Sequence, residues 1–307
     1  MFQIDIFRSP DSKYFIRTAN KVIGVPIFTS ALVGYSIWMY LDINYYFFTS
    51  KGMAISDTIK EAFIDHLMSE QLDALPWVGL FFIMVYFLGL FLAHLVLRPF
   101  KVAALICQES MEGNTEVVIV KGLTKHQMVV KAASLLANFT ITRNHNLPPE
   151  LSKIDGPRLD KVFYLQYALC MTILFIITAV AIYAGIHHLH ESIVGSASLF
   201  LKTDGQVASF LSNQQGMVDN MGYACVLFSF LLYVSIAHGV VKDVEGVSYG
   251  YLRDVRKIIE GDYGRRLRPR FVDPGAEAAL AINRLLDHCF PNPAADQAST
   301  VPPPPIP

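Results

Sequence analysis

The chain has 307 residues, 53% of them hydrophobic and only 17% charged, with a formal net charge of −1. A soluble chain of this length carries more charge, so an ordinary water-soluble domain is excluded. The four cysteines form no CxxC pair, which leaves no metal or redox motif of that type.

The apolar residues are clumped into four windows long enough to cross a bilayer, which takes about 20 residues as helix. An N-terminal segment, 1–21, leads into the first window at 22–43. This window is too long for a cleaved signal peptide and has no small-residue cleavage site after it. A short loop, 44–75, carries Asp57, Glu61, Asp65, Glu70 and Asp73. Its segment 53–74 has Ile55, Ile59, Phe63, Leu67 and Leu72 at helical spacing, expected to face inward, so that the loop caps the spans or, as the second reading, docks a partner. The second window is 76–97, the third 163–186 and the fourth 221–241, with a second short loop at 187–220. A closed barrel would show short alternating segments instead.

Lys and Arg set the orientation. The segments before the first window, between the second and third, and after the fourth hold 4, 9 and 9 of the 25, so 22 lie on one side. That side is assigned as cytoplasmic, with both termini inside. The net charge averages two opposite faces and says little about partners. Cys107, Cys170, Cys225 and Cys289 all fall in membrane or cytoplasmic positions, so no disulfide is expected.

The spans come in two pairs, and the pairs end alike. LAHLVL (92–97) closes the second span and IAHGVV (236–241) the fourth. Each runs into a segment of similar design, 98–139 and 242–290. With Gly113 aligned on Gly261, MEGN matches IEGD, and ASLLAN falls close to INRLLD. The reading is two tandem repeats of span, loop, span, helix, connector, helix. In the second repeat Leu252, Val255 and Ile259 form a heptad-like stripe. Gly261 ends that helix. Asp273 is expected to cap the next helix, with Pro274 at its first position, and Ala278, Ala281 or Ile282, and Leu285 continue the apolar face. In the first repeat Val102, Leu105 and Ile106 precede Gly113, and Val129, Ala132, Ala133, Leu136 and Phe139 follow the connector.

Two amphipathic helices of about two heptads, joined by a Gly-started connector and continuing a transmembrane helix, resemble a HAMP domain. The matching residues are Glu260, Gly261 and Asp262 at the helix end, with Tyr263 and Leu267 in the connector. Asp273 and Glu277 match near the second helix start, and Asn283, Arg284, Leu285 and Leu286 within it. In the first copy Pro99 fits the early proline, and Glu112, Gly113 and Asn114 fit the turn. There are departures: Asp-Pro-Gly replaces the usual acidic pair, the second copy lacks the early proline, and the first connector is a β-branched run, VVIV (117–120). The first copy therefore reads as degenerate. The resemblance implies a parallel four-helix bundle that relays conformational change, in a bacterial inner (cytoplasmic) membrane. Since one chain carries two copies, it could supply all four helices as a fused pseudo-dimer; a homo-oligomer is the other arrangement. The linker 140–162 is long enough to return to the third span, since residues 140–161 alone reach ~70 Å when extended.

Other candidates are weaker. His94 and His238 sit at equivalent places near the inner ends of spans two and four, where paired imidazoles could ligate a haem. His187 and Glu191 are four apart and could share a divalent metal; an interfacial polar cap is the favoured reading. GRRLRPR (264–270) is a short basic run without stacking aromatics, better suited to a solvated connector or an acidic protein surface than to nucleic acid. The tail 291–307 is Pro-rich and cannot bury a core. No phosphate-binding loop or nucleophile elbow occurs. The expectation is therefore an all-α, four-span membrane protein without enzymatic activity or cofactor, relaying or adapting between lipid-embedded helices and an unidentified protein partner. The alternatives are a static structural component of an envelope machine such as a flagellum, and a haem-b-binding redox protein.

Overall fold

The computed structural model describes residues 11–50, 57–113, 128–143, 161–200, 206–268 and 274–291. These are helical almost throughout: α1 (Ser12–Ser50), α2 (Asp57–Met111), α3 (Met128–Thr142), α4 (Lys161–Phe200), α5 (Gln206–Asn213), α6 (Gln215–Ile259) and α7 (Ala276–Cys289).

Four of them are long and apolar enough to cross a membrane, over Ser12–Tyr46, Ile64–Met111, Phe163–Ser196 and Gln215–Ile259. Only 22–33% of each most apolar window is buried inside the protein. Leu80, Phe87, Leu165, Leu169, Leu227 and Leu231 all point outward. Hydrocarbon solvates such a surface without cost, and water does not. The chain is thus a helical, multi-pass membrane protein.

The helices overrun the limits set by hydropathy. The first short loop, expected over 44–75, is helical except at 51–56, which lie outside the described residues. The second, expected over 187–220, contains the end of α4, all of α5 and the start of α6. Hydropathy changes at the edge of the bilayer, but the backbone hydrogen-bond ladder continues until a residue breaks it. The expected inward face of 53–74 is also corrected. Leu67 is buried, but Leu72 is exposed. Ile55 lies outside the described residues, as do the side chains of Ile59 and Phe63.

The chain divides into two compact units, and the division falls inside α1, α2, α4 and α6. The span unit comprises Thr18–Leu90 and Leu169–Ala237. Within it, a methyl on Gly89 of α2 would lie 3.0 Å from the Ala19 Cα and 3.2 Å from the Val22 Cβ of α1, so a larger residue would have to push the two helices slightly apart at this close crossing. Thr29 Oγ1 meets Ser229 Oγ at 3.0 Å, and Thr178 Oγ1 meets Tyr233 Oη at 2.9 Å. These buried hydroxyl pairs tie α1 and α4 to α6, each group finding its partner inside the protein as lipid requires. Ile37, Tyr40, Leu67, Ile182, Ile186, Ile193, Val218 and Cys225 form an apolar cluster drawn from all four long helices. The terminal unit comprises Met1–Arg17, Phe91–Ala168 and His238–Pro307, and holds both helix pairs singled out by the sequence.

Candidate functional site

Both aligned glycines end their helices in positive-φ conformations, Gly113 at 74° and Gly261 at 119°. After α6 the amide of Gly261 donates to the Ile258 carbonyl at 3.1 Å, and that of Asp262 to the Lys257 carbonyl at 2.9 Å. This paired pattern is a Schellman cap, which closes the last turn and needs a residue without a Cβ at the reversal. Upstream, Leu252, Val255, Ile258 and Ile259 are fully buried. On α7, Ala278, Ala279, Ile282, Leu285 and Leu286 are buried, so Ile282 rather than Ala281 carries the stripe. On α3, Val129, Ala132, Ala133, Leu136 and Phe139 are all buried, at the positions the spacing marked.

On α2 the expected stripe is corrected. Leu105 is exposed, Val102 is half-buried and only Ile106 is buried. The buried face instead runs through Phe100, Ala103, Ala104 and Cys107. Small side chains let neighbouring helices approach closely there, so size complementarity overrode hydrophobicity. Pro99 lies inside α2, which continues through it; its ring removes the donor that would reach the Leu95 carbonyl.

The connector after Gly261 is held by α7. The Leu267 side chain is buried. Its amide donates to Asn283 Oδ1 at 2.8 Å, and Asn283 Nδ2 donates to its carbonyl at 2.8 Å. One side-chain amide thus satisfies both backbone groups of the residue it anchors, as a neighbouring strand would. Two arginines of the basic run are paired within the chain. Arg265 pairs with Asp254 at 2.8 Å and lies 3.7 Å from Asp262, while Arg266 pairs with Asp287 at 2.7 Å and donates to the Phe290 carbonyl. Arg268 is exposed, and Arg270 lies outside the described residues.

At this end three aromatic rings from both repeats stack. Tyr263 and Phe290 lie 4.6 Å apart at 2°, and Phe139 of α3 stacks on them at 6.2 and 6.0 Å. The Arg143 guanidinium sits 4.4 Å over the Phe290 ring. A second cross-repeat contact joins Phe100 of α2 to Tyr251 of α6, edge to face at 6.1 Å.

The start of α7 differs from expectation. Asp273 lies outside the described residues, and Pro274 precedes the helix. The capping position is Gly275, at φ 89°, and it has no local side-chain cap. Its substitutes come from elsewhere in the chain. Tyr251 Oη donates to the Gly275 carbonyl at 2.8 Å. The Phe100 ring packs where a Gly275 Cβ would be. The buried Asp11 carboxylate lies at the start of α7, where the backbone amides of Ala276, Glu277 and Gly275 favour its charge. Asp11 thus faces the N-terminus of a helix that begins more than two hundred residues later, while its own carbonyl accepts from the Tyr14 and Phe15 amides of α1. Burial first, and the nearby Glu277 carboxylate second, push the Asp11 carboxyl up to about 6. Nothing local in the sequence marks this contact, because it joins residues more than two hundred positions apart.

The remaining candidates are dispersed. His94 stacks on Phe15 at 6.4 Å, and His238 is exposed on α6. His187 Nε2 and Glu191 Oε1 pair with each other at 3.2 Å on an exposed helix face. Among the described residues no group of three or more His, Cys, Asp or Glu is placed to hold a metal.

Fold and site together define a helical protein with four candidate membrane spans and a compact unit knitted from two helix pairs. No protein-family model matches the chain, and no curated protein or solved structure matches it either.

Proposed function

We propose that the chain is a non-enzymatic membrane relay or adaptor, whose terminal unit is a HAMP-like bundle built from both repeats of a single chain. The supporting observation is the interlock between repeats: Phe139 stacks with Tyr263 and Phe290, and Phe100 packs on Tyr251 and Gly275. Four packed amphipathic helices, two of them unbroken continuations of membrane-crossing helices, make an element able to hold two packings and pass a shift from one end to the other. On this reading the membrane is a bacterial inner membrane, both termini are cytoplasmic, and the output is contact with another protein.

Cysteine pairs placed on 98–111 and 242–259, in the full chain in its membrane, test the arrangement. With a protease site in the linker 140–162, an oxidised sample cut there should stay linked as one chain and separate on reduction. Products that link two chains only would refute the single-chain bundle. Substitutions that alter bundle packing should then give both locked-on and locked-off phenotypes in the partner pathway. Loss of assembly alone would favour a static scaffold.

A further inference from the structure

Before the second span read from the sequence, α2 begins with a segment rich in carboxylates, among them Glu61, Asp65 and Asp73. Trp77 is exposed at the start of the span read from the sequence, where an indole marks the membrane interface. Beyond it Ile64, Met68, Leu72 and Leu75 are 41–65% exposed. Their spacing of four, four and three residues lines them along one face. The segment is docked from its other side by Leu67, which is buried in the cluster with Ile37, Tyr40 and Ile193. Lipid does not cover this stripe, because the exposed carboxylates of Asp65 and Asp73 on the same turns cannot enter hydrocarbon cheaply.

Charge decides what does cover it. Glu61 is one heptad before Met68, and Asp65 is one heptad before Leu72, so each lies within about 20° of its apolar neighbour around the helix. Both are exposed. The apolar seam thus meets Glu61 at its outer end and is flanked there by Asp65. A second copy in parallel would set Glu61 and Asp65 against themselves. An antiparallel copy would press them onto Leu75 and Leu72. Like-charge contact and unpaired burial are both costly. A helix with apolar residues at heptad spacing and lysine or arginine one heptad further out meets neither cost.

We propose that the face formed by Ile64, Met68, Leu72 and Leu75, with Glu61 and Asp65 at its outer end, docks an amphipathic helix of another protein whose apolar seam is flanked by lysine or arginine. This surface belongs to the span unit and does not depend on the relay reading.

The test uses the full chain in its native membrane, with a photo-cross-linking amino acid in place of Met68 or Leu72. The expected product is an adduct with a different polypeptide, whose mapped segment is an amphipathic helix with flanking lysine or arginine. Yield should fall about tenfold in the Glu61→Lys, Asp65→Lys double variant, in keeping with the steering that such charges provide. A cross-linker at Ser69, off the stripe, should give little of the product. An adduct with a second copy, adducts with lipid alone, a mapped segment lacking basic residues, no adduct, or a yield indifferent to the charge reversal would each overturn the proposal.

Discussion

Replacing Asn283 by alanine should release the connector from α7. The variant removes both 2.8 Å hydrogen bonds to Leu267 and leaves a partly buried amide and carbonyl without partners. Each such bond is worth about 1 kcal/mol net, and each buried group left unsatisfied costs about 1–3 kcal/mol, so the docked connector should lose about 2–4 kcal/mol. A tenfold change accompanies each ~1.4 kcal/mol, so exchange of the Leu267 amide hydrogen should accelerate between about 30- and 1,000-fold. Hydrogen exchange on the detergent-solubilised chain, resolved to peptides covering 263–268, reads this directly. Asn283→Asp separates the two bonds: its carboxylate still accepts from the Leu267 amide, but its other oxygen then faces the Leu267 carbonyl, acceptor against acceptor. Exchange in that variant should approach that of alanine rather than of the native chain. Unchanged exchange in Asn283→Ala, or an aspartate variant as protected as the native chain, would refute the account of the connector as held by this amide.

Asp11 carries a charge in a buried place, and its carboxyl is raised to about 6. The folded state therefore binds the proton more tightly than the unfolded one. The penalty is full above about pH 6 and fades as pH falls towards the ordinary carboxylate value of ~4. At ~1.4 kcal/mol for each tenfold change in affinity it reaches about 3 kcal/mol. Asp11→Asn should thus be the more stable form at pH 7.5, with the gap closing by pH 4.5; thermal unfolding of the two proteins across that range checks it, and a gap that widens on acidification would contradict it. Gly275→Ala should cost about 2–4 kcal/mol, since it combines a positive φ with a methyl driven into the Phe100 ring. Phe100→Leu should recover only the steric part, which a double-mutant cycle on thermal unfolding would separate. Gly89→Ala should lower stability by about 1–3 kcal/mol, because the obstruction is the Ala19 backbone and cannot swing aside. Pairing it with Ala19→Gly should not restore the loss, since the Cα that obstructs remains; full recovery would show that the crossing is looser than described.

Which features were legible from sequence follows from how local their causes are. The four spans are set by composition within about 20 residues, so their existence was plain. Their outer ends were not, since hydropathy falls at Ile43 while α1 runs on to Ser50. The helix ends at Gly113 and Gly261 were legible because a positive-φ reversal selects glycine whatever lies around it. The buried face of α3 was legible from its period, whereas that of α2 was misread because Leu105 is larger than Ala103 or Ala104, and the packing preferred the small residues. Asn283 and Leu267 were singled out only through a family pattern, and the bond that joins them spans 16 residues.

What the sequence alone determined is therefore the four spans, the buried face of α3 and the glycine stops, all of which depend on nearby residues in the chain. The tertiary structure decided what covers those faces and closes those ends. Residues 11, 100, 251 and 275 meet at the start of α7, and residues 139, 263 and 290 stack at the far end of the connector. These residues are separated by up to 264 positions in the chain, and no local preference links them. Only close packing of the helices brings their side chains within reach, and it alone set the Asp11 carboxylate at the start of α7 and paired Arg265 and Arg266 with Asp254 and Asp287.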